Sequence, residues 1–413
     1  MNFYNQKDRP CSYIPVDKKS HFPLENLPFG VFKTKNSKRQ GVCVAIGSEV
    51  LDLTACESHH LLGFEKKFFQ KPSLNELMNE SQDVWKSLRV QLQSLLSDKN
   101  PAIRDKPELR ENCFLKQDSL LMQLPFEIGD YTDFYASKEH ASNVGSMFRD
   151  KNNPLLPNWL HLPVGYHGRS SSVVVSQTPV RRPLGQVKPP AEDSLPELRP
   201  SGRIDFELEL AACMGRGNKL GSPLSVDEAS KHIFGLVLMN DWSARDIQKW
   251  GYVPLGPFVS KSFATSISPW VVSLEALTPF LTKGPKQEPE PLSYLQTTKT
   301  QNTHYDINFT VELKTQKQEE PQAICETNSK YLYWSFAQKI AHHTITGCNL
   351  RAGDLLASGT ISGPRESSFG SMLELAWGGK KPLSLRGGEA RSFLEDYDEV
   401  KMTGVCEKDG LRL

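Results

Sequence analysis

The feature that most narrows the folds open to this chain is a change of rhythm along it. From residue 172 onward, apolar residues come in short runs, at 172–176, 204–212, 235–239, 270–274, 307–313, 354–358 and 372–375, with turn-rich stretches between them. Runs of that length with such boundaries specify strands, so the larger part of the chain is expected to be mainly β with some α. Its few helices include one opening at Ser225, with Glu228 completing a capping box, and one over 329–341. Upstream the pattern differs. Short runs at 29–32, 42–46 and 50–53, broken by Lys35-Asn36-Ser37 and Gly47-Ser48, predict hairpins. One long amphipathic helix then opens at Ser73 with Glu76 as capping partner, and carries Leu74, Leu77, Val84, Trp85, Leu88, Leu92, Leu95 and Leu96 as far as Asn100-Pro101. The charged stretch 98–116 reads as a connection, and a boundary near residue 123 divides the 413 residues into units 1–123 and 124–413.

Charge excludes several functions. Lys and Arg total 49 and Asp and Glu 48, a formal balance of +1 with no basic block, so neither nucleic acid nor an anionic membrane is an expected partner. The apolar stretch 233–239 is far shorter than the roughly 18 residues a spanning helix needs. Lys7-Asp8-Arg9-Pro10 stands where an export signal would be apolar, and the eight cysteines are scattered without a CxxC pair. A cytosolic chain with reduced thiols is expected.

Within the β region, Phe206-Glu207-Leu208-Glu209-Leu210 puts two carboxylates on one face of a strand and three apolar side chains on the other. A solvated outer face is the plain alternative. Two further carboxylates border apolar material: Asp241 ends the run 235–239, and Asp133 lies in Tyr131-Thr132-Asp133-Phe134-Tyr135. Four buried carboxylates repel one another unless a cation sits among them, and an all-oxygen donor set suits Mg2+ or Ca2+. Zinc is disfavoured, because no HExxH helix and no Cys/His cluster is present. The adjacent pairs His59-His60 and His342-His343 are read as structural. His140 follows Asp133 by seven residues, about two turns if that segment is helical, which would bring it to the same face. Arg149 and Tyr166 suit a carboxylate-bearing ligand. The donor-dense stretch from Asp241 through Arg245, Gln248 and Tyr252, followed by Lys261 and Thr265, could stabilise developing negative charge. Gly215-Arg216-Gly217-Asn218-Lys219-Leu220-Gly221 lacks dinucleotide spacing, and Gly359-Thr360-Ile361-Ser362-Gly363 lacks that of a nucleophile elbow and reads as a turn. Six prolines between Pro179 and Pro200 make 177–203 a long irregular loop, of the kind that wraps a site or a partner.

Taken together, Asp133-Phe134-Tyr135, His140, the stretch 158–163, Tyr166-His167-Gly168-Arg169, the Glu207/Glu209 strand, the stretch 240–246 and Gly359–Gly363 closely resemble the fumarylacetoacetate hydrolase family, from about Tyr13 to the carboxyl end. The resemblance implies a small SH3-like amino-terminal barrel and a carboxyl-terminal mixed β-sandwich roll, assembled as a homodimer. It implies metal-dependent hydrolysis of a carbon–carbon bond in a small diketo acid, 4-fumarylacetoacetate, to fumarate and acetoacetate, the last step of tyrosine and phenylalanine breakdown, with no organic cofactor. Carried over residue by residue, the metal ligands fall on Asp133, Glu207, Glu209 and Asp241, with Lys261 and Thr265 beside a second metal position. Substrate contacts fall on Tyr135, Arg149, Tyr166, Gln248, Tyr252 and Thr360. The catalytic base falls on His140 and its carboxylate partner on Glu374, while Arg245, Gln248 and Lys261 are expected to steady the departing enolate. Acylpyruvate hydrolysis or oxo-acid decarboxylation on the same scaffold stays open, as does, in another class, a metal-dependent binding module.

Overall fold

A computed structural model describes residues 11–189, 191, 193–299 and 302–413. Its first sheet is antiparallel throughout and runs in the order Phe114–Lys116, Glu49–Asp52, Gln40–Ile46, Phe29–Thr34, Leu120–Gln123. This is the small SH3-like barrel. Its tightest corner is Gly47, with φ +56°, where a Cβ would stand 2.4 Å from the carbonyl oxygen of Pro15; only glycine fits a left-handed turn so closely covered.

Several expectations for this region need correction. The stretch 98–116 is not a plain connection: it folds into helical turns Pro101–Arg104 and Pro107–Cys113 and then supplies the edge strand Phe114–Lys116. The single long helix is broken into Asn75–Met78 and Gln82–Leu96. Ser73 makes no capping box, because its hydroxyl is spent on the side chain of Asn75. Trp85 Nε1 instead donates to the carbonyl of Leu77 across the break, at 2.8 Å, which folds the first turn back onto the second.

The central sheet has eight strands, with Gly165–Gly168, Tyr131–Phe134, Leu355–Ala357, Leu208–Met214, Ile233–Asn240, Thr265–Ile267 and Val173–Val175 in spatial order and Val272–Ser273 off that path. Leu355–Ala357 lies parallel to Tyr131–Phe134 and antiparallel to Leu208–Met214. Every residue of Leu208–Met214 is buried, so the pattern that could have meant a wet outer face belongs to a strand covered on both sides. Ala211, Cys213, Val237, Met239, Leu355 and Ala357 join one apolar core with the barrel. Leu208, Leu210, Ala212, Met214, Leu236 and Leu356 join a second core with Asn308–Lys314, Gln322–Asn328 and the helix Phe336–Thr344. These layers make the mixed β-sandwich roll, with the apolar cores on either side of the sheet contributing the main stabilisation.

Further corrections fall here. Residues 372–375 form a helical turn, Met372–Leu375, and not a strand. The run 270–274 yields only Val272–Ser273 before Ser273 caps the helix Leu274–Leu277. The expected helix over 329–341 begins only at Phe336, where Ser335 and Gln338 form the capping box, and runs to Thr344. The Ser225/Glu228 box is present as read. The stretch 177–203 carries a ladder, Leu184–Val187 against Glu197–Pro200, although Pro190 and Glu192 lie outside the described residues. No helix among the described residues is long and apolar enough to cross a membrane.

Candidate active site

The register of the central sheet delivers its polar residues to one end. Asp133 pairs with Tyr166 on one side and Ala357 on the other, Leu208 pairs with Asn240, and Asp241 and Gly359 lie just beyond their strands. Along Glu207, Glu209, Ala211 and Cys213 the side chains share one face, so the carboxylates extend the stripe that the barrel covers. Glu209 and Asp241 are fully buried, and Asp133 and Glu207 are nearly so.

Carboxylate oxygens of Asp133, Glu209 and Asp241 lie within 4.8 Å of one another. Burial, reinforced by the Asp241 charge, pushes the Asp133 carboxyl up to about 7. Burial and then Asp133 hold Glu209 well above the usual carboxylate range, and burial also raises Asp241. Glu209 Oε1 is buried without a hydrogen-bond partner among the described residues. An unpartnered carboxylate oxygen inside a cluster of like charges is what a cation would relieve, and a purely oxygen donor set fits a hard divalent ion. The other Glu209 oxygen and Asp133 Oδ1 accept from the backbone N–H of Gly359, at 3.0 and 3.1 Å. Gly359 has φ +74°, and a Cβ there would meet the Phe134 carbonyl oxygen at 2.2 Å; the expected turn thus brings an amide up to two carboxylates, which only glycine allows.

Glu207 stands apart from that trio. Its oxygens are taken by Arg245 Nη2, at 2.6 Å, and by Lys261 Nζ. Burial opposes its charge, but the fields of Lys261 and Arg245 hold it well below the usual carboxylate range. Lys261 also donates to Asp241, whose oxygens further accept from Thr265 Oγ1 at 3.0 Å and Tyr166 Oη at 3.2 Å. Lys261 and Thr265 are therefore bound to a carboxylate of the trio.

His140 reaches the site by a route different from the one its spacing suggested. Asp133 lies on a strand and His140 in the first turn of the helix Lys138–Phe148, so no helical repeat relates them. His140 Nδ1 is 2.6 Å from Glu374 Oε2. Glu374 also accepts from Ser362 Oγ, Ser371 Oγ and Asn143 Nδ2 at 2.8–2.9 Å. Burial works against its charge, yet His140 and those donors keep its carboxyl below the ordinary value. An ionised carboxylate only accepts, so Nδ1 carries the proton and Nε2 is the ring nitrogen left to receive one. The Tyr135 ring meets the His140 ring edge-on at 5.3 Å. Thr360 Oγ1 is buried and unpartnered among the described residues. Arg245 Nη1 donates to Gln248 Oε1 at 3.0 Å.

The sequence comparisons cover almost the whole chain. Residues 25–125 match the fumarylacetoacetase N-terminal model, and residues 130–408 match the fumarylacetoacetate hydrolase C-terminal model. The chain belongs to the fumarylacetoacetate hydrolase family. Among its relatives, the human fumarylacetoacetase is 54% identical over 406 residues, covering 97% of this chain and 96% of the relative. Those of Dictyostelium discoideum and Arabidopsis thaliana are 52% and 49% identical over 97% of this chain, and cover 95% of each relative. In structure, the fold is shared with a fumarylacetoacetate hydrolase from psychrophilic Exiguobacterium antarcticum, at TM-score 0.50 and 15% identity, over 92% of this chain and 95% of that one. This member of the family is a hydrolase.

Two of the family's expected substrate contacts lie outside the buried cluster: Tyr252, 46% exposed at the end of the helix Arg245–Gly251, and Arg149, exposed at the end of Lys138–Phe148 with its guanidinium on the Pro154 carbonyl. Reasoning from the sequence missed Asn143, Asp205, Ser362 and Ser371, which hold the site residues from behind, and Lys339. That lysine is fully buried, its Nζ 3.6 Å from the Phe336 ring centroid and without an acceptor among the described residues. Burial pulls it down to about 7, against the fields of Glu209 and Asp133. Its only sequence signal was a charge in the apolar helix 336–341.

Proposed function

We propose that this hydrolase cleaves the carbon–carbon bond of 4-fumarylacetoacetate to give fumarate and acetoacetate, the closing step of tyrosine and phenylalanine breakdown, in the cytosol. The reading is supported by a buried His140–Glu374 pair and a buried carboxylate trio in a chain about half identical to fumarylacetoacetases along nearly its whole length. Asp133, Glu209 and Asp241, with Glu207 beside them, would hold Mg2+ or Ca2+; Lys261 and Thr265 would support a second metal position through Asp241. When bound, such an ion supplies Lewis-acid polarisation of a diketone oxygen.

The chain's own residues account for the rest. His140 Nε2 takes a proton from water, and the hydroxide equivalent adds to the carbonyl carbon on the fumaryl side. Glu374 keeps the imidazole in the tautomer this requires and stabilises the imidazolium that results, a role worth about 10²–10⁴ in rate for a well-placed base. The carbon–carbon bond then breaks, its electron pair leaving as the enolate of acetoacetate, which takes up a proton on release. Arg245, Gln248 and Lys261 donate toward the oxygen on which that charge develops. Tyr135, Arg149, Tyr166, Tyr252, Gln248 and Thr360 orient the diacid, the unpartnered Thr360 hydroxyl being the most sharply in need of a ligand. The test is a product assay. Purified protein with Mg2+ or Ca2+ is expected to remove the absorbance of 4-fumarylacetoacetate and release fumarate and acetoacetate in equal amounts, while leaving 2,4-diketo acids much less affected; the reverse preference would exclude this substrate.

We also propose that the catalytic unit is 124–413, buttressed by 1–123, and that two copies associate. Val253, Leu255, Phe258 and Val259 are 54–95% exposed in one segment, next to the helix Arg245–Gly251 and the strand Leu184–Val187 that packs on it, where Leu184 and Leu198 are also bare. Clustered exposed apolar side chains of this kind support an interface here. Light scattering is expected to give twice the chain mass, and Leu255→Asp with Phe258→Asp to give the monomer; an unchanged mass would remove this surface from the interface.

A further inference from the structure

We infer that Asp205 is a positioning residue that locks the Arg245 guanidinium and the helical turn carrying Glu374 into one arrangement. Asp205 is fully buried, and its two oxygens serve two different parts of the site. Oδ2 accepts from Arg245 Nε at 2.7 Å and from the backbone N–H of Leu373 at 3.0 Å. Oδ1 accepts from the backbone N–H of Met372 at 2.7 Å. Met372 and Leu373 open the turn Met372–Leu375, whose third residue is Glu374. The first N–H groups of a helix have no partner inside it. Here Asp205 satisfies two of them, and Ser371 Oγ a third, that of Glu374.

The same carboxylate fixes Arg245 on its other side. The strand Ile204–Asp205 pairs with Ser243–Ala244, and the backbone N–H of Arg245 donates to the Arg203 carbonyl at 2.9 Å. With Nε on Asp205, Nη2 on Glu207 and Nη1 on Gln248, the plane of the guanidinium is set by three partners. Glu207 meets the N-cap Ser371 through a backbone bridge, but Asp205 is the one whose side chain binds the Glu374 turn. One side chain thus couples the group proposed to receive the enolate charge with the group that orients the base, two functions that must be in register within a fraction of an ångström.

Asparagine at 205 keeps the shape but not this role. Its oxygen can still accept from Met372, but its amide then faces the Arg245 and Leu373 N–H groups, donor against donor. Arg245 loses a charge-assisted bond that a neutral side chain cannot restore.

The inference rests on the hydrolytic reading above, so its test includes a readout that does not depend on the substrate. In full-length protein, the Arg245 Nε–H resonance, assigned by its loss in Arg245→Lys, is expected to be slow to exchange and to lose that protection in Asp205→Asn. Retained protection would overturn the coupling whatever the substrate proves to be. On 4-fumarylacetoacetate, Asp205→Asn is expected to lower kcat by about 10²-fold, the usual cost of one lost stabilising donor, while Mg2+ affinity by calorimetry moves by less than about threefold. In an Arg245→Met background, Asp205→Asn is expected to add only a small further loss. An equal loss in both backgrounds would mean that Asp205 acts independently of Arg245. Should Asp205→Asn fail to fold, Asp205→Glu, which retains the charge, serves in the same cycle and is expected to keep both the resonance and more activity than Arg245→Met; loss of either overturns the proposal.

Discussion

His140→Ala is expected to lower kcat by about 10³-fold or more, toward the upper part of the range for a general base, while substrate affinity and melting temperature change little. The reason is local. Glu374 keeps Ser362, Ser371 and Asn143 as donors when the imidazole is gone, so the buried carboxylate is not stranded. The side chain removed is small and belongs to neither apolar core. Stopped-flow absorbance with 4-fumarylacetoacetate, together with a thermal melt, separates the possibilities. Undiminished turnover would take His140 out of the mechanism; a collapse of the melt would make its role structural.

The second large effect is expected at Glu209. Glu209→Gln should weaken Mg2+ and Ca2+ binding by at least about 10²-fold by calorimetry, since it removes a fully buried charge from the proposed ligand set. Glu207→Ala should weaken binding less and be partly rescued by excess ion, because Glu207 is already neutralised by Arg245 and Lys261. The ion-free protein should show the opposite sign in stability. A carboxyl whose folded value is raised, as Asp133 is to about 7, contributes stability at pH below its unfolded value that is lost as pH rises through the folded one. Chelated wild type should therefore melt lower at pH 8 than at pH 5. Either added Mg2+ or Glu209→Gln should reduce that difference. An ion-free melting temperature that climbs from pH 5 to 8 would argue against a carboxylate cluster awaiting a cation.

What could be read from the sequence, and what could not, follows from how local the information is. The Glu207/Glu209 alternation was legible because strand geometry is periodic and puts both carboxylates on one face; that this face is covered as fully as the apolar one was not, since the cover comes from elements distant in sequence. Residues 372–375 were misread although Met, Leu and Glu favour helix and Ser371 with Glu374 has the spacing of a helix start, because four residues are too few to show a helical period. The turn is fixed by acceptors on Ser371 and Asp205, the latter 167 and 168 residues away from the amides it serves. The same holds for the partners of Glu374: Asn143 comes from another helix 231 residues away. The break after Met78 was hidden for the opposite reason, since apolar spacing continued through it while the Trp85 indole chose the Leu77 carbonyl. His140 was singled out on a helical repeat that does not exist, since Asp133 lies on a strand and His140 in the first turn of a helix. Lys339 gave no signal beyond its charge, because the burial that makes it unusual is created by a sheet contributed from elsewhere in the chain.

The most direct measurement is cleavage in oxygen-18 water, with fumarate and acetoacetate followed by mass spectrometry in ion-loaded and chelated protein. One heavy oxygen is expected in the carboxyl group newly formed on fumarate, with its appearance abolished by chelation and restored by Mg2+ or Ca2+. Fumarate released without the label, or labelled at full rate after exhaustive chelation, would contradict hydrolysis by a His140-activated water at a cation-dependent carboxylate site.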